Sequence, residues 1–441
     1  MYNWNVVYVK YCDASSYAGD SSVLVPIPSN SPGTGIGTGT GAGMGASSDV
    51  AGGSRRGLGL SDAVGNATTS STSSSTISST SGSSGSSSGA SSRTVLVHFR
   101  GRRNREGIVH HLLSTQGMHS ASDIVIGGCS AGALGVFLGL DQMAEQVRDF
   151  VRLNASTTST VVSPSASSGG GASPGSGPVI VGFADSGFFM AHTSDSKFKM
   201  RKQPKDGPAG VDLHLHEALI NGVMDYQGAM REVYRFMNIS SGTNPRCVKF
   251  ALQSDENLGR RRESTNCIFP QHLSPVIRTP LFAKQPKYDQ WQIWHVVGKP
   301  NNSSLVNNFG SLLLSQLQSR LLTNPRHGAF VDSCTHHCTS CSSPGEDSWH
   351  GDTIRSTGAT RSTAHGLTAS DTFEAWLQRE RRIQQGQGGA VGAVVPGAAA
   401  GGVAGGATPG AVSGAKWTDD EAVFAIQDRL YPCSECCRCH A

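Results

Sequence analysis

Charge is scarce in this chain: 15% of its 441 residues are Asp, Glu, Lys or Arg, and the formal net charge is +4. A protein that tracks a phosphate backbone carries a basic stripe, and the lack of one excludes nucleic acid as a partner. Arg260, Arg261 and Arg262 sit together in a polar stretch and read as a solvated loop. Long apolar runs are missing too. The nearest to one, residues 390–407, is broken by Pro396 and many glycines, so no membrane-spanning helix is expected. Nor does a charged segment followed by an apolar one open the chain, since Met1 leads directly into YNWNVVYVKYC, which reads as a strand entering a folded domain.

Small residues are abundant. Ser, Gly, Thr and Ala fill residues 31–92, the same bias returns at 155–177, and Gly and Ala dominate 384–414. Such stretches bury too little apolar surface to offset the entropy of ordering them. They read as long disordered insertions in the surface loops of a single domain spanning 1–441.

Eleven cysteines are present, clustered late as Cys334, Cys338 and Cys341, then Cys433, Cys436, Cys437 and Cys439. That density suits an oxidising compartment, as do Asn-x-Ser/Thr acceptors at Asn66, Asn154, Asn238, Asn301 and Asn302. The expected location is extracellular or cell-wall, with the export signal missing from this chain. A rival reading takes Cys433, Cys436, Cys437, Cys439 and His440 as a tetrahedral zinc site. Export would instead oxidise these thiols, so no metal and no other cofactor is expected.

With the insertions set aside, short β-branched runs alternate with amphipathic helical patterns. Strands are expected at 6–11, 94–99, 123–126, 179–183, 279–284 and 328–332, and helices at 106–116, 131–148, 216–237, 305–322 and 370–383. This order predicts an α/β-hydrolase-like three-layer sandwich with a mainly parallel sheet.

One stretch carries most of the chemistry. In DIVIGGCSAGALGVFLGLDQMAEQVR an apolar strand runs into Gly128-Cys129-Ser130-Ala131-Gly132 and emerges as a helix, the context a nucleophile elbow requires. Small residues are expected on either side of the strained turn, leaving Ser130 above the carboxyl edge of the sheet. The first amides of the following helix face a developing oxyanion, which makes the Ala131 N–H an expected donor. Cys129, one step before the apex, reads as a buried inert thiol or half of a disulfide.

A serine hydroxyl needs an imidazole to take its proton and a carboxylate to fix that imidazole's tautomer, and on this fold the order is Ser, acid, His. Asp289, in the loop after the strand at 279–284, falls where the acid belongs. Asp185, in Ala184-Asp185-Ser186-Gly187, reads as a carboxylate that shapes a loop by capping amides. The last strand ends in Ser333-Cys334-Thr335-His336-His337-Cys338, and position alone does not separate His336 from His337 as the base. His350 is a third candidate. Whichever histidines are not the base read as ordinary side chains of polar loops.

GGCSAGALG, FADSGFF, NCIFPQHLSPVIRTPLFAKQPKYDQWQI, FVDSCTHHC, DSWHGD and YPCSECC, preceded by YNWNVVYVKYCDASSYAGD and VLVHFRG, resemble successive motifs of the pectin acetylesterase and Notum family. The resemblance implies Ser130 as nucleophile, Asp289 as acid and His337 as base, because the family's catalytic histidine directly precedes a cysteine. It also implies disulfides near the C-terminus, secretion and independence of metal. Plant members of the family remove acetyl groups from pectic polysaccharide, whereas Notum removes a lipid acyl group from a secreted signalling protein. Ala133 stands where the family often has Gly. The family's Gly-Gly-Gly-Trp-Cys segment, which supplies further oxyanion donors, lies upstream of the YNWN motif and is absent, which implies an N-terminally truncated chain. Loss of one such donor costs on the order of a hundred- to a thousand-fold in kcat.

The expectation is therefore a monomeric serine carboxylester hydrolase acting on acetylated, pectin-like polysaccharide or another acyl ester. The alternatives are a Notum-like protein deacylase and a catalytically weak binding protein on the same fold.

Overall fold

The computed structural model describes residues 4–11, 14–27, 93–158, 177–192, 225–257, 264–298, 300–338, 353–354, 367–384 and 424–432. Contacts divide the chain into two compact units, Val25–Val95 and the remainder, Met1–Leu24 with Leu96–Ala441; the central sheet belongs to the remainder.

The strands β1 (Ser21–Ile27) and β2 (Arg93–Phe99) pair with each other, and α1 (Gly101–Ser114) follows. Next come β3 (Asp123–Cys129), α2 (Ala131–Thr158) and β4 (Val179–Asp185). After α3 (Tyr226–Phe236) and α4 (Pro245–Asn257) the chain returns to the sheet as β5 (Leu281–Pro286), leaves as α5 (Ser303–Gln316) and returns as β6 (Gly328–Asp332). A short antiparallel pair, β7 (Thr353–Ile354) and β8 (Leu367–Thr368), precedes α6 (Ala369–Gln384) and the edge strand β9 (Phe424–Ile426). The five-stranded sheet has the order β3-β4-β5-β6-β9, and each neighbouring pair is parallel.

Side-chain alternation along the strands builds the layers. Phe282 and Phe330, with Val179 and Val181, pack against Phe373, Trp376 and Leu377 of α6. Their sequence neighbours Leu281, Ala283, Ala329 and Val331 enter the opposite core beside Leu134, Phe137 and Leu138 of α2. A strand buried on both faces reads as a continuous apolar run rather than an alternating one, which is why β5 and β6 are buried at every position. The three-layer α/β arrangement expected from the sequence is the one observed.

Several boundaries differ. The strand expected at 6–11 is not formed: Val6 and Tyr8 are 86% and 85% exposed, and among the described residues no strand pairs with this segment. Without a ladder its β-branched residues have no reason to stay extended. α2 continues ten residues past the expected end and into the stretch taken as an insertion from residue 155. The helix expected at 305–322 is α5 followed by a π-turn at Leu317–Leu321. Helix α4 and the three-residue β9 were not foreseen. The insertions proper, 31–92, most of 155–177 and 385–414, lie outside the described residues, as does the first part of the helix expected at 216–237. No helix among the described residues is long and apolar enough to cross a membrane.

His327, 1% exposed, anchors the start of β5 by accepting the Leu281 N–H at Nδ1 (3.2 Å). Burial pushes its pKa down to about 4, so the ring is neutral in the fold and takes up a proton more readily once unfolded. The stability this neutral ring provides is therefore complete above the ordinary histidine range and falls as pH drops from about 6.5 towards 4. Urea unfolding should show wild type losing about 2 kcal/mol between pH 7 and pH 5 relative to His327→Asn, whose amide oxygen accepts the same hydrogen bond. Parallel pH profiles for the two proteins would contradict this account.

Candidate active site

β3 ends at Cys129 and α2 begins at Ala131, so Ser130 is the single residue that turns the chain. It adopts φ +55°, a left-handed conformation that costs a non-glycine residue roughly 1–3 kcal/mol. The turn is held from both sides. The Ser130 N–H donates to the Asp185 carbonyl at the end of β4 (2.9 Å), and the Ser130 carbonyl accepts from the Leu134 N–H in α2 (2.9 Å). A Cβ at Gly128 would lie 2.4 Å from the Gly132 carbonyl carbon, so the backbone doubles back closely there. The expected crowding does not extend to Gly132 itself, where an added Cβ meets nothing within 4 Å outside its own helix. Ala131, as the first residue of a long helix, presents its amide among those that lack an intrahelical acceptor.

The structure brings Ser130, His337 and Asp289 together. Ser130 Oγ donates to His337 Nε2 (2.7 Å), and His337 Nδ1–H donates to Asp289 Oδ2 (2.8 Å). Asp289 is fully buried and caps the turn that follows it, its Oδ1 accepting the Gln292 N–H (2.9 Å). One oxygen thus shapes the loop while the other orients the imidazole.

His336 is not the ordinary loop side chain expected. It is buried, and its Nε2 lies 3.1 Å from both carboxylate oxygens of Asp332 at the end of β6. Burial raises the Asp332 pKa, but the opposing pull of His336, of Lys284 and of the Cys334 N–H outweighs it and holds the carboxyl below its usual range. His350 and the cysteine-rich segment from Cys433 to His440 lie outside the described residues.

Cys129 forms a disulfide with Cys338 and is exposed, so the half-cystine alternative holds while the buried thiol does not. A second bridge joins Cys247 to Cys267, and Cys334 is disulfide-bonded as well. The first bridge links the residue before Ser130 to the residue after His337.

Asp185 does not cap amides as expected. Its carboxylate receives the Ser186 hydroxyl (2.9 Å) and pairs with Lys284 Nζ (3.2 Å), a lysine 1% exposed in mid-sheet. Burial raises the Asp185 pKa against the attraction of Lys284. Ser186 Oγ in turn accepts the Cys338 N–H (2.9 Å). Lys284 carried no sequence signal, because a lysine in an apolar strand reads as a solvated edge position until its neighbours are known.

Aromatic rings line one side of His337. Phe189 and Trp291 lie 6.1 and 6.4 Å from its ring and 5.1 Å from each other, and Tyr226 and His295 flank Trp291. Two buried glutamines hold Phe189 there: Gln285 accepts the Phe188 N–H, and Gln292 accepts the Met190 N–H while donating to the Phe188 carbonyl. Burial and the nearby Asp289 charge push the Tyr226 phenol up, and burial with the His337 charge pushes His295 down, so both remain neutral near pH 7.

Among known proteins, Pectin acetylesterase 5 of Arabidopsis thaliana is 24% identical over 272 residues, 57% of this chain and 48% of that protein. Pectin acetylesterase 7 of the same plant is 24% identical over 274 residues, 58% of this chain and 53% of its own. The chain spans about half the length of these curated relatives. Among solved structures, that of the Wnt deacylase Notum from Drosophila is similar at 18% identity and a TM-score of 0.40, covering 64% of this chain and 60% of that one. The family model described as Pectinacetylesterase matches residues 77–161 and 224–391, more than half of the sequence. Because that match runs through the elbow and through both loops that meet it, the chain belongs to the pectinacetylesterase family.

Proposed function

We propose that the chain is a serine carboxylester hydrolase, built as one hydrolase domain and acting as a secreted monomer, that removes acetyl groups from a pectin-like extracellular polysaccharide. The observation that carries this reading is the unbroken hydrogen-bond relay from Ser130 Oγ through both nitrogens of His337 to buried Asp289. Family membership supports the ester substrate, the names of the relatives support acetyl and pectin, and the disulfides support an oxidising compartment.

The steps follow from the geometry. His337 Nε2 takes the Ser130 proton as Oγ adds to the ester carbonyl, and the Ala131 N–H stabilises the oxyanion. The imidazolium, steadied by Asp289, then protonates the departing sugar hydroxyl, leaving an acyl-serine. Water, deprotonated by the same nitrogen, adds to the acyl carbon and releases acetate, and the proton returns to Ser130.

Ser130→Ala should lower kcat on p-nitrophenyl acetate by at least about a thousandfold and abolish labelling by an organophosphonate, with His337→Ala nearly as impaired and the double variant little worse. Additive losses in the double variant, or activity surviving Ser130→Ala, would remove the serine mechanism.

The rings of Phe189 and Trp291 stand beside His337, and as walls of the acyl site they would favour a short acyl group. Acetyl esters should be cleaved at least about tenfold better than octanoyl esters in kcat/KM. A preference for the longer chain would move the assignment to lipid-ester removal.

A further inference from the structure

His336 and Asp332 take no part in the relay, yet both are buried beside it, 5% and 2% exposed. We propose that the His336–Asp332 pair positions His337, an inference that rests on the hydrolase reading above. The pair acts on the base through the backbone and does not touch the reacting atoms.

Asp332 is the fixed end. It closes β6, its main-chain carbonyl accepts the Lys287 N–H (2.8 Å), and its Oδ1 accepts the Cys334 N–H (2.9 Å). From that point to His337 the chain has no regular structure, so β6 itself does not dictate where the imidazole points. Ser333 is held by Gln427 and Cys334 by its disulfide, and His336 fixes the residue next to His337 by placing Nε2 at 3.1 Å from each oxygen of Asp332. Its main-chain carbonyl accepts the N–H of Gln290, the residue after Asp289, at 2.9 Å. One residue thus pins the base loop to the sheet through its side chain and to the acid loop through its backbone.

The residue on the other side of His337 is held just as firmly. Cys338 is bonded to Cys129 and gives its N–H to Ser186, whose hydroxyl rests on the Asp185 carboxylate paired with Lys284. His337 therefore stands between two immediate anchors, the Cys129–Cys338 bridge on its C-terminal side and the buried His336–Asp332 contact on its N-terminal side, with bridged Cys334 further back. A displacement of about 1 Å in a reacting group costs on the order of a hundredfold in rate, so slack on one side is enough to impair the base.

The test measures kcat per active site, with sites counted by stoichiometric phosphonate labelling so that unfolded protein does not enter. His336→Leu should lower kcat per labelled site by about tenfold or more with KM for p-nitrophenyl acetate within about twofold. His336→Gln, which keeps an N–H donor for Asp332, should recover most of the loss. Independently of turnover, the downfield proton resonance of the His337 Nδ1–H bonded to Asp289 should be present in wild type, absent in Asp289→Asn, and weakened by solvent exchange in His336→Leu. A His336→Leu protein with kcat per site within about twofold of wild type and an unchanged downfield resonance overturns the proposal. If wild type turns over no ester, the hydrolase reading fails and the resonance alone decides the positioning role. If His336→Leu does not fold, Asp332→Asn is judged by the same two measures and the same thresholds.

Discussion

Two residues 207 positions apart must meet within hydrogen-bonding distance, and the Cys129–Cys338 bridge fixes that approach by joining their immediate neighbours. In a chain-entropy account, closing a loop of this length removes on the order of 5 kcal/mol of freedom from the unfolded chain, although the split between entropy and enthalpy for such bonds is model-dependent. Its local effect is as important as its global one. Because the bridge sits one residue from Ser130 and one from His337, it ties the elbow to the histidine loop, and the remaining polar contacts orient the imidazole.

The register of the sheet makes that bridge geometrically possible. Cys129 lies level with Asp185, Asp185 with Lys284, and Pro286 with Asp332, so consecutive strands end near a common edge. Every group in the site leaves from that edge or within a few residues of it. Ionisable side chains therefore gather at that edge: Asp185, Lys284, Asp332, Asp289 and two histidines, most of them buried and each paired with another of the group. Each would be costly alone, and pairing is what makes burial tolerable.

Much of this was legible in the sequence for physical reasons. A strained strand-to-helix turn demands glycine at one flank, and Gly128-Cys129-Ser130 is readable because no ordinary helix or strand begins that way. Asp289 was readable as the candidate acid because the order of loops along a parallel sheet limits where such a carboxylate falls. His336 and His337 were not separable by position, since adjacent residues share a loop and only the packing beneath decides which one turns inward. The role of Lys284 was invisible because it depends on Asp185 of the neighbouring strand, and those of Ser186 and Asp332 because they depend on how the loop from Cys334 to Cys338 folds back on the sheet edge. Residues 6–11 misled because β-branched composition describes a strand's preference and says nothing of whether a neighbour is there to pair with it.

The strands follow one another across the sheet in chain order, each joined to the next by a helical return. Returns of that kind run from the end of a helix to the amino end of a strand, on the far rim from the reacting groups. The gap between Thr158 and Val179 is such a junction, and so is the gap between Gln384 and Phe424. Low-complexity sequence enters at both. Chain added at these two junctions lengthens the path into the amino end of a strand, whereas Ser130, Asp289 and His337 follow the carboxyl ends of β3, β5 and β6.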